Sequence, residues 1–451
     1  MGAFQAFLLC DEWQVRDGAQ QLTFYGRLTD GRAVELRITN FRPVFFVPRE
    51  QSEGPAGAER RAVELRSVRG EEVDALYFDD EHALRDARES MARQGLRTYE
   101  SDVRPAERYL MERFINGCVE IEGEARETRH GLLFINPRLC PIEADAEFLI
   151  ASLDIETGVS TGQLYSVAIQ LSGAGRDERV VFLLDEKRHD FTLPGGESPD
   201  ARVHAYPDER ALLLDCFAWF AQADPDFITG WNVIGFDLRF LENKCRELSV
   251  AFALGRGGRA ARVKTRASGG DFAVVPGRVV LDGPPTLRAA FYSFEDFRLE
   301  TVARELLGRG KLIESDENKI QEIDRRFRED KAALAAYNLE DCVLVTEILA
   351  QTGMIDLLKS RSRISGMLPD RIGRSVAAFD HFLLPRLHRR GYVALSEQDV
   401  RSEAPAPGGY VMTPASGLYE HVAVLDFRSL YPSIMRTFKI DPFSMMQSDT
   451  N

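Results

Sequence analysis

Five side chains have types and spacings that suit one chemistry: Asp154, Glu156, Asp237, Tyr337 and Asp341. The run Ser152-Leu153-Asp154-Ile155-Glu156-Thr157 is preceded by Phe148-Leu149-Ile150 and followed by Gly158, which predicts a buried strand. Side chains alternate across a strand, so Asp154 and Glu156 share a face. Two carboxylates on a buried strand repel each other and resist desolvation. A divalent cation held by oxygen ligands would compensate them. An isolated Asp-x-Glu is ordinarily a solvated surface pair, but here the flanks are apolar and more acids follow. Asp237 falls where a predicted strand, Asp226 to Asn232, runs into a helix opened by Gly235-Phe236-Asp237. Tyr337 and Asp341 are four apart on a helix predicted from about Lys331, which stacks them on one face. Four carboxylates can hold two divalent ions about 4 Å apart, one to activate a water and one to steady the leaving oxygen of a phosphodiester. The Tyr337 hydroxyl would orient the attacking water.

The elements that must position these residues can be read in outline. Residues 1 to about 145 predict a β-rich region, with a hairpin at Asp30-Gly31, an aromatic strand from Phe41 to Val47, and helices over 81–94 and from Pro105 towards Phe114. Strands are expected over 164–171 and 180–184, and a helix over 209–222. Residues 255–283 predict an exposed hairpin. Leu299 to Leu307 forms one helical stripe ended by Gly308. Residues 355–400 look helical, Arg401 to Gly409 reads as a linker, and Val422 to Leu425 predicts a strand with Asp426 at its end. A helix follows from Ser429 to Thr437.

At 451 residues the chain needs several cores. It contains no apolar run of 18 residues, which predicts no membrane-spanning helix, and no membrane partner is expected. Its first residues do not resemble a signal peptide. Cys10, Cys118, Cys140, Cys216, Cys245 and Cys342 lack paired spacing, which predicts reduced thiols in a cytoplasm and no zinc site. The net charge of −14 weighs against a nucleic-acid binder, although a metal nuclease concentrates acids in its site. Two basic runs, Arg256-Arg259-Arg262-Lys264-Arg266 and Lys359-Arg361-Arg363-Arg371-Arg374, could follow a phosphate backbone or be solvated loops.

The order Asp154-x-Glu156, Asn232-x-x-x-Phe236-Asp237 and Tyr337-x-x-x-Asp341 resembles the three exonuclease motifs of the family B DNA polymerases. Asp426-Phe427-Arg428-Ser429-Leu430-Tyr431-Pro432-Ser433-Ile434 resembles the family's first palm motif, and Gly408-Gly409-Tyr410 its linker motif. Asp102-Val103-Arg104-Pro105 through Phe114, Leu299 to Gly308, and Ser375-Val376-Ala377-Ala378-Phe379 look like a bacterial branch. The resemblance implies a multidomain α/β (α+β) architecture. A β-rich N-terminal domain (1–146) would precede an RNase H-like exonuclease domain with a mixed central sheet (147–355). A helical connector (356–400) would lead to a linker and the first part of a polymerase palm (401–451).

The resemblance also implies roles. Asp154, Glu156, Asp237 and Asp341 would bind two Mg²⁺ or Mn²⁺ ions for 3′→5′ proofreading, with Asn232, Phe236 and Tyr337 positioning the strand end or the water. Asp426, with the Phe427 carbonyl, would bind nucleotide-bearing metals. Amides near Ser429 and Leu430 would meet the triphosphate, and the Tyr431 ring would exclude a ribose. Gly409 and Tyr410 would contact substrate in the linker. Expected partners are single-stranded 3′ ends and primer–template DNA, with dNTP and a sliding clamp for the full-length protein. Repair synthesis and restart past damage would be the role. The fingers, the second palm motif with its Asp-Thr-Asp, and the thumb are absent from these residues, so the expectation is a piece that retains the exonuclease and does not polymerise. The alternatives are a free-standing exonuclease and a catalytically dead DNA-binding or scaffold paralogue.

Overall fold

The apolar approach to Asp154 draws its strand into the middle of a sheet. The computed structural model describes residues 3–16, 19–51, 54–55, 57–187, 189–196, 199–266, 269–310, 319–371, 374–396, 409–441 and 444. Ile150–Thr157 is the fifth of seven strands, in the order Phe191–Leu193, Ala201–Tyr206, Arg176–Leu184, Leu164–Gly173, Ile150–Thr157, Phe227–Gly230, Val279–Asp282. Ile150–Thr157 pairs antiparallel with Leu164–Gly173 and parallel with Phe227–Gly230, so the sheet is mixed, as expected.

Alternation then sorts the side chains between two covering helices. Glu209–Ala223 starts at Asp208, whose carboxylate accepts the Ala211 N–H at 2.8 Å. Its Leu212, Leu213, Phe217 and Phe220 share a core with Ala151, Leu153 and Ile155. Lys331–Gln351 covers the opposite face, packing Leu334, Ala335, Leu339, Cys342 and Val343 against Tyr165, Ala168, Val181 and Leu183. Its N-cap Asp330 accepts the Ala333 N–H at 2.9 Å, a bond worth about 1 kcal/mol. This helix is apolar on nearly every side and is therefore buried on most of them. Its Leu344, Val345 and Ile348 meet Leu299, Val302 and Ala303 of the helix Leu299–Leu307, which Gly308 ends at φ 70°. Asp154 and Glu156, of opposite parity to Leu153 and Ile155, fall under Lys331–Gln351.

The chain forms two compact units, Met1–Phe41 with Ala106–Phe382, and Arg42–Pro105 with Leu383–Asn451. These cuts differ from the boundaries expected at 146, 355 and 400, because the β-rich N-terminal region is shared between the units. In the first unit, a second seven-stranded sheet contains the expected hairpin of Ala19–Leu28 and Ala33–Ile38. Its Phe7, Leu9 and Tyr25 share a core with Phe227 and Val279 of the acid-bearing sheet and with Phe148, which leads into it. A buried ion cluster joins the same two sheets. Arg27 Nε donates to both oxygens of Asp226 at 3.0 and 2.8 Å. Arg256 donates to Asp224 and Asp226, each at 2.9 Å, and Arg278 lies 3.1 Å from Asp224.

Arg256 is thus interior, which corrects its assignment to a basic surface run. Arg259 is tied to Glu12 at 2.8 Å. From that run Arg262, Lys264 and Arg266 are exposed, on or beside the hairpin of Arg262–Thr265 and Asp271–Val274. The second run is also largely internal to its unit: Lys359 and Arg363 pair with Asp145 at 2.6 and 2.8 Å, and Arg371 with Glu107 at 3.0 Å. Helices Met354–Ser365 and Ser375–His388 occupy the expected helical stretch.

The second unit has a four-stranded sheet, ordered Tyr392–Val393, Glu59–Ser67, Glu72–Tyr77, Val44–Pro48. Phe45, Val47, Leu76 and Phe78 pack against Leu84, Ala87 and Met91 of the helix Glu81–Arg93. Leu430–Phe438 is helical, as expected. Val422 to Leu425 is not a strand. Among the described residues no neighbouring strand pairs with it, and Val424 and Leu425 are 90% and 93% exposed. Apolar β-branched residues favour a strand but cannot supply the partner that makes one. The expected linker, Arg401 to Gly409, falls outside the described residues except for Gly409. Among the described residues, no helix is long and apolar enough to cross a membrane.

Candidate metal centre

Ligand oxygens of Asp154, Glu156 and Asp341 lie within 4.8 Å of one another. Glu156 and Asp341 are buried and Asp154 is half-buried. Two unit charges about 5 Å apart repel by about 3 kcal/mol at an effective dielectric of about 20. Oxygens on opposite sides of an octahedral Mg²⁺ sit about 4 Å apart. The triad therefore fits a hard divalent ion with small side-chain adjustments, and its charge calls for one.

Asp237 is held beside this triad by an unusual turn. After the strand Phe227–Gly230 the chain passes through Asn232 in a left-handed conformation, φ 57°. Residues Ile234–Leu238 form a π-turn, closed by the Leu238 N–H on the Val233 carbonyl at 2.8 Å, and the helix Arg239–Glu247 continues from it. Such turns recur at functional sites. This one buries Asp237, whose Oδ1 accepts the Ile155 N–H at 3.0 Å. Burial, followed by the charge on Asp154, pushes the Asp237 carboxyl well above the usual range, against the opposing pull of that N–H. Asp282 receives the Ile234 N–H at 3.3 Å and braces the same turn. Asn232 and Phe236 ride on this turn and face solvent, Phe236 being 53% exposed.

Tyr337 is buried one turn before Asp341. Burial, then the charges of Asp341, Glu156 and Asp154, hold its phenol far above the ordinary value. It therefore keeps its proton at neutral pH and can donate it in a hydrogen bond.

Two residues that sequence reasoning missed complete the surroundings. Asn338 Nδ2 donates to Asp154 Oδ2 at 2.6 Å, and Ser166 Oγ donates to Asn338 Oδ1 at 2.8 Å. Both Asn338 and Ser166 are fully buried. The available signal was a polar Asn inside an otherwise apolar helix face, next to Tyr337.

Among the described residues, those expected in the palm and linker are not gathered into a ligand cluster. Asp426, Phe427, Ser429, Leu430, Tyr431, Gly409 and Tyr410 all belong to the second unit and are exposed. Tyr410, Phe427 and Tyr431 are 92%, 75% and 76% exposed. Among the described residues, no cluster of three potential metal ligands includes Asp426.

Comparison with known proteins agrees with this geometry. Residues 96–302 match the family model described as DNA polymerase family B, exonuclease domain, and residues 372–451 match DNA polymerase family B. The first match contains Asp154, Glu156 and Asp237. Tyr337 and Asp341 fall beyond it but within the alignment to DNA polymerase II of Escherichia coli (strain K12), which is 38% identical and covers 98% of this chain and 56% of that protein. A DNA polymerase of Thermococcus sp. (strain 9oN-7) is 27% identical over 68% of this chain and 39% of its own length. The chain thus spans about half the length of these relatives. The family B DNA polymerase of Pyrobaculum calidifontis shares the fold with a TM-score of 0.71 at 23% identity, over 97% of this chain and 57% of that one. With an exonuclease-domain match around the acid strand and a polymerase-domain match around Asp426, the chain belongs to the family B DNA polymerases.

Proposed function

We propose that this chain is the exonuclease-bearing portion of a bacterial DNA polymerase that proofreads, removing nucleotides from DNA 3′ ends by metal-dependent hydrolysis. The observation that carries this reading is the convergence of Asp154, Glu156 and Asp341 under one buried helix, with Asp237 fastened to the strand between the two strand acids. Asp154, Glu156 and Asp341 would hold one Mg²⁺ or Mn²⁺, and Asp237 with Asp154 a second. Such ions, when bound, neutralise charge on the reacting phosphate and make water a competent nucleophile. The protonated Tyr337 hydroxyl orients the attacking water. Asn232 and Phe236, on the exposed side of the turn, hold the terminal nucleotide.

In the full-length protein, Asp426 and the Phe427 carbonyl would serve nucleotide binding. Ser429, Leu430 and Tyr431 would line the dNTP site, and Gly409 and Tyr410 would contact primer–template DNA. A sliding clamp and the bacterial cytoplasm, at the nucleoid, complete the proposed setting. The family match over 372–451 weighs against a free-standing exonuclease. The intact acid set weighs against a dead paralogue. Digestion of a single strand labelled at its 5′ end tests the reading. A ladder shortening one nucleotide at a time from the 3′ end is expected, whereas internal cuts or no cuts in Mg²⁺ and Mn²⁺ would overturn it.

A further inference from the structure

We infer that Asn338, oriented by Ser166, is a positioning residue that sets the metal affinity of the acid cluster. This inference rests on the exonuclease reading above and deepens it. On the antiparallel pair of strands, Ser166 lies directly opposite Glu156, and Ala168 lies directly opposite Asp154. The helix Lys331–Gln351 bonds to both opposing residues. Asn338 Oδ1 accepts the Ser166 hydroxyl at 2.8 Å, and Cys342 Sγ donates to the Ala168 carbonyl at 3.3 Å. The helix that carries Asp341 is therefore keyed to the sheet at the two positions facing the strand acids.

Asn338 does one thing more. Its Nδ2 donates to Asp154 Oδ2 at 2.6 Å, across from the hydroxyl that fixes its oxygen. An amide offers donors only at nitrogen and acceptors only at oxygen. The Asp154 carboxylate only accepts, so it takes the nitrogen; the Ser166 hydroxyl then donates to Oδ1 and anchors the amide, and the chain Ser166–Asn338–Asp154 has one consistent direction. Ser166 and Asn338 have no exposed surface, and Asp154 at the end of the chain is half-buried. A neutral donor holds Asp154 in place without cancelling the charge that attracts a cation, as a lysine or arginine there would do. Asp154 is then pre-oriented towards Glu156 and Asp341 before any ion arrives, which lowers the reorganisation that binding requires. Partners of this kind, behind the ligands of a metal, are typically worth about 10–100-fold in affinity or activity.

The test is Mn²⁺ binding to the whole chain, read by electron paramagnetic resonance of the free ion and independent of turnover. Asn338→Leu keeps the side-chain branching and removes the donor. Ser166→Ala keeps Asn338 and releases its orientation. Expected is a dissociation constant raised about tenfold or more in Asn338→Leu and raised by less in Ser166→Ala, with thermal midpoints near that of the parent. In strand digestion the variants should need proportionately more Mn²⁺ for half-maximal rate and should approach the parent rate when saturated. Should Asn338→Leu not fold, the Ser166→Ala titration decides alone. Parent-like Mn²⁺ affinity in the folded variants overturns the inference. No Mn²⁺ binding by the parent chain overturns the metal-centre reading itself, a separate failure.

Discussion

Asp341 is a liability to the fold whenever no cation is present. It places a third carboxylate within 4.8 Å of two others in a largely buried site. Asp341→Asn should therefore have opposite effects on stability and on metal response. In chelator-treated buffer the variant should be more stable than the parent, on the order of 1–3 kcal/mol by denaturant unfolding, since like-charge repulsion is relieved. Adding Mg²⁺ should stabilise the parent by mass action and leave the variant nearly unmoved. A parent that gains nothing from Mg²⁺ would contradict the assignment. At this scale the sequence was informative where the side chain's own element carried the signal. The apolar flanks and strand period put Asp154 and Glu156 on one face, and the four-residue spacing stacked Tyr337 on Asp341. Asn338 was invisible because its partners, Ser166 and Asp154, are more than 170 residues away, and no local pattern marks such a meeting.

Among the elements, the two sheets of the first unit are held together by apolar packing and by the Arg27–Asp224–Asp226–Arg256–Arg278 cluster. Truncating one partner of a buried, hydrogen-bonded ion pair typically costs about 3–5 kcal/mol. Asp226→Asn should lose stability of that order by denaturant titration, because Arg27 and Arg256 both donate to its carboxylate. A loss below about 1 kcal/mol would show that the packing alone suffices. Asp224 gives the pH sign. Burial alone would raise its carboxyl, but Arg256, Arg278 and Arg27 outweigh it and hold the value below the usual range. A depressed folded value means stability that is present above the unfolded carboxylate value, about 4, and lost as pH falls through the folded one. Acid unfolding followed by circular dichroism should accordingly be shallower in Asp224→Asn than in the parent.

The same cluster explains why one surface expectation failed. Arg256 stands in a run without acids, so sequence suggests a basic loop, yet its partners Asp224 and Asp226 arrive from the turn before Phe227–Gly230. Val422–Leu425 failed for the converse reason, since its residues have strand character and, among the described residues, no strand beside them. The Glu81–Arg93 and Lys331–Gln351 helices start where the sequence places them, and in the structure Asp80 and Asp330 cap them.

For the whole molecule, the chain carries one member of the expected palm pair, Asp426, and no Asp-Thr-Asp run. Synthesis by this mechanism needs two metal-binding carboxylates in the palm. We therefore expect no nucleotide incorporation by the 451-residue chain on a primed template, although strand digestion proceeds; primer extension would refute this. The division of the β-rich N-terminal region between two units could not be read from strand signals, because which sheet a strand joins depends on distant partners.

The central claim is that the acids gathered around Ile150–Thr157 and Lys331–Gln351 form a metal-dependent 3′→5′ exonuclease. Its most direct test is the release of labelled mononucleotide from the 3′ end of a single strand, titrated with Mg²⁺, for the parent chain and for Asp154→Ala/Glu156→Ala. Expected are Mg²⁺-dependent release by the parent and a fall of at least a thousandfold, about 4 kcal/mol of transition-state stabilisation, in the double variant. Equal release by both chains, or release by the parent that persists in chelator, would contradict it.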